Sequence, residues 1–359
     1  MSSDCFCPDR SPAFPAPLAV SLGDPAGVGP ELALKAWEVC VRRGTPDTVP
    51  FFVMGSADWL ESVSRHTGAG PVRRISSAAE AREVFSHALP VLEPSVPLAA
   101  SVRFGVPDPA SAAHTLAAIE DAVGLVAGDE ASALVTLPVN KAVLQAAGFP
   151  HPGHTDFLGV LARRLWPCDG VPVMMLAAPG LRVVPVTVHV SLREAIASLT
   201  TDRIVQTART VSAALKRDFG LEHPRLAISA LNPHAGEGGL MGTEEDTVIR
   251  PAVEHLQAAG IQADGPFPCD TLFHEEARAT YDAALCMTHD QALIPIKTLD
   301  FHRAVNVTLG LPFVRTSPDH GTAYALAGAG TARADSLVSA LDLACSMVRA
   351  RRAFAAGAS

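Results

Sequence analysis

What this chain lacks narrows its function before any motif is considered. It has no apolar run long enough to cross a bilayer. The best, residues 171–181, holds Pro172 and Pro179 and stops at Arg182, whereas a spanning helix needs about 20 apolar residues. It has no basic stripe: 28 Lys and Arg face 37 Asp and Glu, for a net charge of -9. That argues against a nucleic-acid or membrane partner, so an anionic ligand would be met by a few placed cations. Cysteine is sparse and scattered, at 5, 7, 40, 168, 269, 286 and 345. An odd number without framework spacing fits a reducing cytoplasm. Cys5-x-Cys7 has no second pair to complete a metal site. The familiar nucleotide and hydrolase signatures are missing as well. Gly236-Glu-Gly238 comes close to G-x-G-x-x-G, but Met241 stands where the third glycine belongs. There is no G-x-x-x-x-G-K-[ST], no H-E-x-x-H and no G-x-S-x-G. A redox cofactor, if one is used, does not sit on an ordinary Rossmann turn.

What is present describes a folded α/β protein. Hydrophobic residues make up 48% and charged residues 18% of 359, with a mean hydropathy of +0.23. That excludes a largely disordered chain and suggests two domains. Residues 1–17 carry Pro8, Pro12, Pro15 and Pro17 and no apolar core, which predicts a disordered tail and not a signal peptide. Strand-like runs fall at 18–22, 50–54, 131–136, 171–177, 183–188, 225–231, 283–287 and 305–309. Helical stretches fall at 30–42, 112–126, 139–147, 202–219, 243–259 and 333–349. In the fourth of these, Ile204, Ala208, Val211 and Leu215 share one helical face. The alternation predicts an α/β fold with a substantially parallel sheet, and ligands gather at the carboxyl ends of such strands.

Several loops after these strands carry polar residues. Gly23-Asp-Pro-Ala-Gly-Val-Gly-Pro-Glu31 follows the first; it suits close backbone approach to a ligand, and equally a plain strand-to-helix turn. Gly153-His-Thr-Asp156 lies in a proline-rich segment without periodicity, and reads as a loop whose side chains suit a polar ligand. His189, His234 and His289 each end an apolar strand. Strand ends of one sheet can converge, and three imidazoles suit a borderline divalent metal with an open position. Asp270 and Asp290 are nearby ligand or supporting candidates. Lys297 and Arg315 could converge on a phosphate, Arg315 as a bidentate fork, or could be ordinary surface charges.

Together these motifs, with His289-Asp-Gln291, Asn306-Val-Thr-Leu-Gly-Leu-Pro-Phe-Val-Arg-Thr-Ser317 and Asp319-His-Gly-Thr322, resemble the 4-hydroxythreonine-4-phosphate dehydrogenase family from about residue 18 to 350. The resemblance implies the isocitrate and isopropylmalate dehydrogenase fold, two α/β/α domains about a cleft. On that pattern one domain takes residues 18–148 and 316–352, and the other takes 149–315. It implies NAD or NADP and one divalent ion (Zn²⁺, Mg²⁺ or Co²⁺), held by His189, His234 and His289. It implies a small phosphorylated substrate contacted by His154, Thr155, Lys297, Asn306 and Arg315. The loop Asp319, His320 and Gly321 is the suspected cofactor contact. It further implies a cytoplasmic homodimer with its active site at the subunit interface. Thr288 and Ala292 depart from the usual flanks of the third histidine, as do Asp300 and His302 beyond it. The alternative substrates are threonate or erythronate phosphates. A metal-dependent phosphatase or hydrolase is the alternative from another class.

Overall fold

Short apolar strands alternate with amphipathic helices along the chain, and in the computed structural model they build one twelve-stranded sheet. The structure describes residues 15–44, 49–98, 102–151, 153–167 and 170–357. Cys5, Cys7, Cys168 and most of the expected tail lie outside the described residues. Its last residues are tied down: the Ser132 hydroxyl donates to the Ala16 carbonyl at 2.6 Å, and the Ser132 amide donates to Pro17 at 3.0 Å.

The strands are β1 (Leu18–Ser21), β2 (Phe51–Met54), β3 (Val72–Ile75), β4 (Leu89–Leu92), β5 (Leu134–Thr136) and β6 (Val173–Ala178). Then follow β7 (Leu181–Pro185), β8 (Arg225–Ser229), β9 (Gln262–Phe267), β10 (Ala283–Cys286), β11 (Val305–Leu309) and β12 (Arg315–Pro318). Their order across the sheet is β3-β4-β2-β1-β5-β12-β11-β6-β7-β10-β8-β9. All neighbours are parallel except β12-β11, β11-β6 and β6-β7. The expected α/β class with a mostly parallel sheet agrees with this arrangement. The edge strands β3 and β9, the adjoining β4 and the central β12 escaped the sequence reading. The run Val-Arg-Arg-Ile in β3 is polar in its middle, and β9 contains Asp264, Gly265 and Pro266.

Helices cover both faces. Thr201–Phe219 buries Ile204, Ala208, Val211 and Leu215 completely, the face read from the sequence. Thr200 caps its start by accepting from the Arg203 amide, and Gly220 ends it at φ 69°. Helix Asp335–Gly357 packs on β11, β12 and Thr201–Phe219. The expected helix at 243–259 is instead a π-helical turn, Glu245–Ile249, followed by an α-helix, Arg250–Ala258. Among the described residues no helix is long and apolar enough to cross a membrane.

This order places the histidine-bearing loops. β7, β10 and β8 are consecutive and parallel, so the segments after them leave the same edge of the sheet, about one strand spacing apart.

Candidate active site

His289 opens the helix His289–Leu299 directly after β10, and its ring lies 5.5 Å, centroid to centroid, from that of His189 after β7. Asp290 Oδ1 stands 2.8 Å from His289 Nδ1. A carboxylate there holds the proton on Nδ1 and leaves Nε2 as a lone-pair donor. Burial pushes the His189 pKa down, and the charges of Lys141 and His289 push it further, against an opposing pull from Asp156. Its imidazole is therefore neutral and able to ligate. His189 also takes a left-handed backbone, φ 52°, which is costly for a side-chain-bearing residue and concentrates at functional sites. These groups fit a divalent ion: two imidazoles lie side by side, and one has a carboxylate at its Nδ1.

His234 follows β8 but stands on an exposed loop. Among the described residues no three His, Cys, Asp or Glu side chains gather closely enough to hold a metal. Within one chain the structure thus brings two of the three histidines together and leaves His234 apart. The local backbone is left-handed: φ is positive at every residue from His234 through Gly239, with Gly236 buried and His234 exposed. Asp270, on the turn Cys269–Thr271, is exposed and packs beside that loop, not beside the pair.

A second cluster surrounds Arg315, at the start of β12. Its guanidinium is 4% exposed yet has no carboxylate partner among the described residues. It donates to Thr308 Oγ1 at 2.9 Å and Thr136 Oγ1 at 2.7 Å, and lies 3.5 Å from His154 Nδ1. Arg315 Nε and His154 Nε2 are both buried with no hydrogen-bond partner. Burial alone lowers the Arg315 pKa to about 10, and burial together with Arg315 drives His154 well below the histidine range. A buried cation without a counter-charge is expensive, and an anion beside it would offset that cost. His154 is not in a loop, as the sequence suggested, but begins the helix His154–Leu165. Gly153 supplies no side-chain cap, so first-turn amides remain for an anion as well. Thr155 is half-buried in that turn, and Asn306 is half-buried on β11, two residues before Thr308 and so on the same face.

Lys297 sits on the helix His289–Leu299, not on a strand, and pairs with Asp319 Oδ2 at 2.9 Å. The suspected cofactor loop is therefore joined to the histidine-bearing helix, with His320 and Gly321 exposed beyond it. The loop after β1 reads as architecture. A Cβ at Gly23 (φ 72°) would overlap the Pro138 carbonyl. The Val28 amide donates to Thr322 at 2.8 Å, and buried Asp24 accepts from Tyr324 Oη at 2.7 Å. Sequence reasoning passed over Lys141 and Thr136, and took in Asp156 and Thr308 only as members of longer motifs. Ordinary helix and strand positions give no local signal of this kind.

Comparison with known proteins identifies the family. The family model described as pyridoxal phosphate biosynthetic protein PdxA matches residues 47–344. The chain belongs to the PdxA family. A 4-hydroxythreonine-4-phosphate dehydrogenase of Methylorubrum extorquens is 54% identical over 331 residues, covering 91% of this chain and 93% of that protein. The enzyme of the same name from Caulobacter vibrioides is 52% identical over 338 residues, covering 94% and 98%. The crystal structure of 4-hydroxythreonine-4-phosphate dehydrogenase from Klebsiella pneumoniae superposes with a TM-score of 0.81 at 35% identity, covering 93% of this chain and 99% of that one. Family membership makes this chain an oxidoreductase of pyridoxal phosphate biosynthesis and points to a nicotinamide cofactor.

Proposed function

We propose that the chain oxidises 4-phosphohydroxy-L-threonine with NAD⁺ or NADP⁺. The product, 2-amino-3-oxo-4-phosphooxybutanoate, then loses CO₂ to give 3-amino-2-oxopropyl phosphate. The observation that carries this reading, in a chain of this family, is Arg315: a buried, unneutralised cation beside an uncapped helix N-terminus. The hydride leaves C3 for the nicotinamide and the hydroxyl proton leaves to a base, which makes the 3-oxo acid; breaking its C–C bond releases CO₂.

In this reading Arg315, with the first-turn amides at His154 and Thr155, binds the phosphate. Asn306 and Lys297 complete the substrate contacts, so the contribution of these residues is positional. Neutral His154, whose Nδ1 faces the Arg315 donor, carries its proton on Nε2 and offers it to a substrate oxygen. His189, His289 and His234 would hold a divalent ion, which when bound would supply Lewis acidity toward the substrate oxygen. The loop Asp319, His320 and Gly321 takes the cofactor. Segments 18–148 with 316–352, and 149–315, form the two domains, and the site lies where they meet.

The ligand set is completed in a homodimer. Leu192 is 67%, Leu240 83% and Ile294 63% exposed, and they stand three, six and five residues beyond His189, His234 and His289. Apolar side chains so placed call for a cover.

The test is a substrate panel followed by reduced-nicotinamide absorbance with metal present. The highest kcat/KM is expected for 4-phosphohydroxy-L-threonine. A higher value for threonate or erythronate phosphate would move the assignment to those acids. Phosphate release without nicotinamide would replace it with a hydrolase.

A further inference from the structure

The loop that carries His234 holds a conformation that its own sequence does not favour. Six consecutive residues have positive φ: His234 51°, Ala235 54°, Gly236 75°, Glu237 42°, Gly238 66° and Gly239 92°. Three of the six bear side chains, and each costs about 1–2 kcal/mol in the left-handed region. Such a turn persists only if its surroundings over-determine it.

The surroundings do so through one carboxylate. Glu245 is 2% exposed, and among the described residues no Lys or Arg pairs with it. Its Oε1 accepts from the Leu231 amide at 2.9 Å and the Asn232 amide at 2.7 Å. Its Oε2 accepts from Asn232 Nδ2 at 3.0 Å. That same oxygen lies 2.6 Å from where a Cβ on Gly236 would stand, so the turn is wrapped against the carboxylate. Glu244 Oε2 holds Asn232 Nδ2 from the other side at 2.7 Å. Glu245 reaches this position because it opens the π-helical turn Glu245–Ile249, a wide turn that often marks a functional site.

The same strand end is held from the opposite side by the helix that begins at His289. Gln291 Nε2 donates to the Ala230 carbonyl at 2.9 Å and to the Leu231 carbonyl at 3.4 Å, while its Oε1 accepts from the Thr288 amide at 3.0 Å. Residues 230–232 are thus gripped through their amides by Glu245 and through their carbonyls by Gln291. A mechanical link runs from the His234 turn to His289.

We infer that Glu245 is a positioning residue: with Gln291 it fixes the strand end from which the left-handed His234 turn springs, and so sets where His234 stands in the dimer's histidine site and that site's affinity for a divalent ion. This rests on the metal reading above. Carboxylate and amide supports behind metal ligands typically change affinity about 10–100-fold when altered.

The test measures Zn²⁺ and Co²⁺ binding to the full-length protein by competition with a chromophoric chelator, together with the Co²⁺ visible spectrum and thermal melts. The variants are Glu245→Gln, Glu245→Asp, Gln291→Ala and His234→Ala. Glu245→Gln keeps the shape but puts an amide donor where an acceptor is required. It is expected to weaken Co²⁺ binding about 10–100-fold and alter the spectrum, with Glu245→Asp intermediate. Gln291→Ala shifts affinity in the same direction and keeps the idea testable if the Glu245 variants do not fold. Wild-type affinity and spectrum in folded Glu245→Gln or Gln291→Ala, while His234→Ala loses metal, would overturn the positioning role and leave the metal reading intact. No binding by the wild-type protein would overturn both.

Discussion

Replacing Arg315 by methionine should lower kcat/KM about 10- to 100-fold and leave the ligand-free form no less stable. The side chain is 4% exposed, donates to two threonine hydroxyls and has no counter-charge among the described residues. Lowering of its pKa to about 10 corresponds to roughly 3 kcal/mol against the charged form. Because the folded-state pKa lies below the unfolded one, that penalty is complete below about pH 10. It is relieved as pH rises from there toward the ordinary arginine value. At neutral pH the whole penalty applies. Methionine removes it but deprives Thr136 and Thr308 of a donor, at about 1 kcal/mol each. The balance is about 1 kcal/mol in favour of the variant, a rise in Tm of roughly 2 °C. Binding moves the other way. An anion loses at least one charge-assisted hydrogen bond, worth about 1.5–3 kcal/mol, which is roughly 10- to 100-fold in kcat/KM. Differential scanning calorimetry of both proteins, with and without phosphorylated substrate, measures the first effect, and steady-state kinetics the second. A variant that melts several degrees below wild type and keeps its KM would refute the claim that Arg315 is a cation held ready for an anion.

Three further outcomes follow from the same geometry. His154 has a folded pKa well below its unfolded value, so the unfolded chain takes up the proton first and stability is lost as pH falls below about 6.5; His154→Gln should flatten the acid limb of a Tm-versus-pH curve, and an unchanged limb would show that the ring titrates normally. Asp290→Asn exchanges the acceptor facing His289 Nδ1 and should weaken divalent-metal binding about 10-fold or more, measurable by chelator competition; unaltered affinity would remove Asp290 from the site. Specific activity should fall on dilution as the dimer dissociates, with light scattering giving the mass; full activity at the monomer mass of 37.4 kDa would defeat a shared site.

Much of the fold was legible because burial and period coincide. Residues 18–22 and 305–309 are uninterrupted apolar or alternating runs, and the face of Thr201–Phe219 could be read residue by residue. The missed strands β3, β4 and β9 lie at or next to the sheet edges, where arginines, glycine and proline are tolerated and the pattern fades; β12 is central, but its four residues, Arg-Thr-Ser-Pro, carry no apolar run. His154–Leu165 was missed because its start is hidden behind prolines and carries no capping side chain. The site was legible as a list of histidines at strand ends, since β7, β10 and β8 do lie side by side. Its supports were not. Nothing local distinguishes Glu245 from any other helix-start glutamate, and only the folded chain brings its carboxylate to Leu231 and Asn232. Arg315 is legible in the sequence as one side of an even choice between phosphate clamp and surface charge, and only the folded chain shows it buried without a counter-charge among the described residues.

The central claim is that one metal-loaded site oxidises a phosphorylated hydroxy amino acid with a nicotinamide. Its most direct test is the progress curve of reduced nicotinamide from chelator-stripped protein given 4-phosphohydroxy-L-threonine and NAD⁺ or NADP⁺, before and after a divalent ion is restored. The account predicts no reduction before restoration, and after it a steady rise in step with CO₂ release. Equal rates with and without the ion, or no reduction of either nicotinamide by the metal-loaded enzyme, would contradict it.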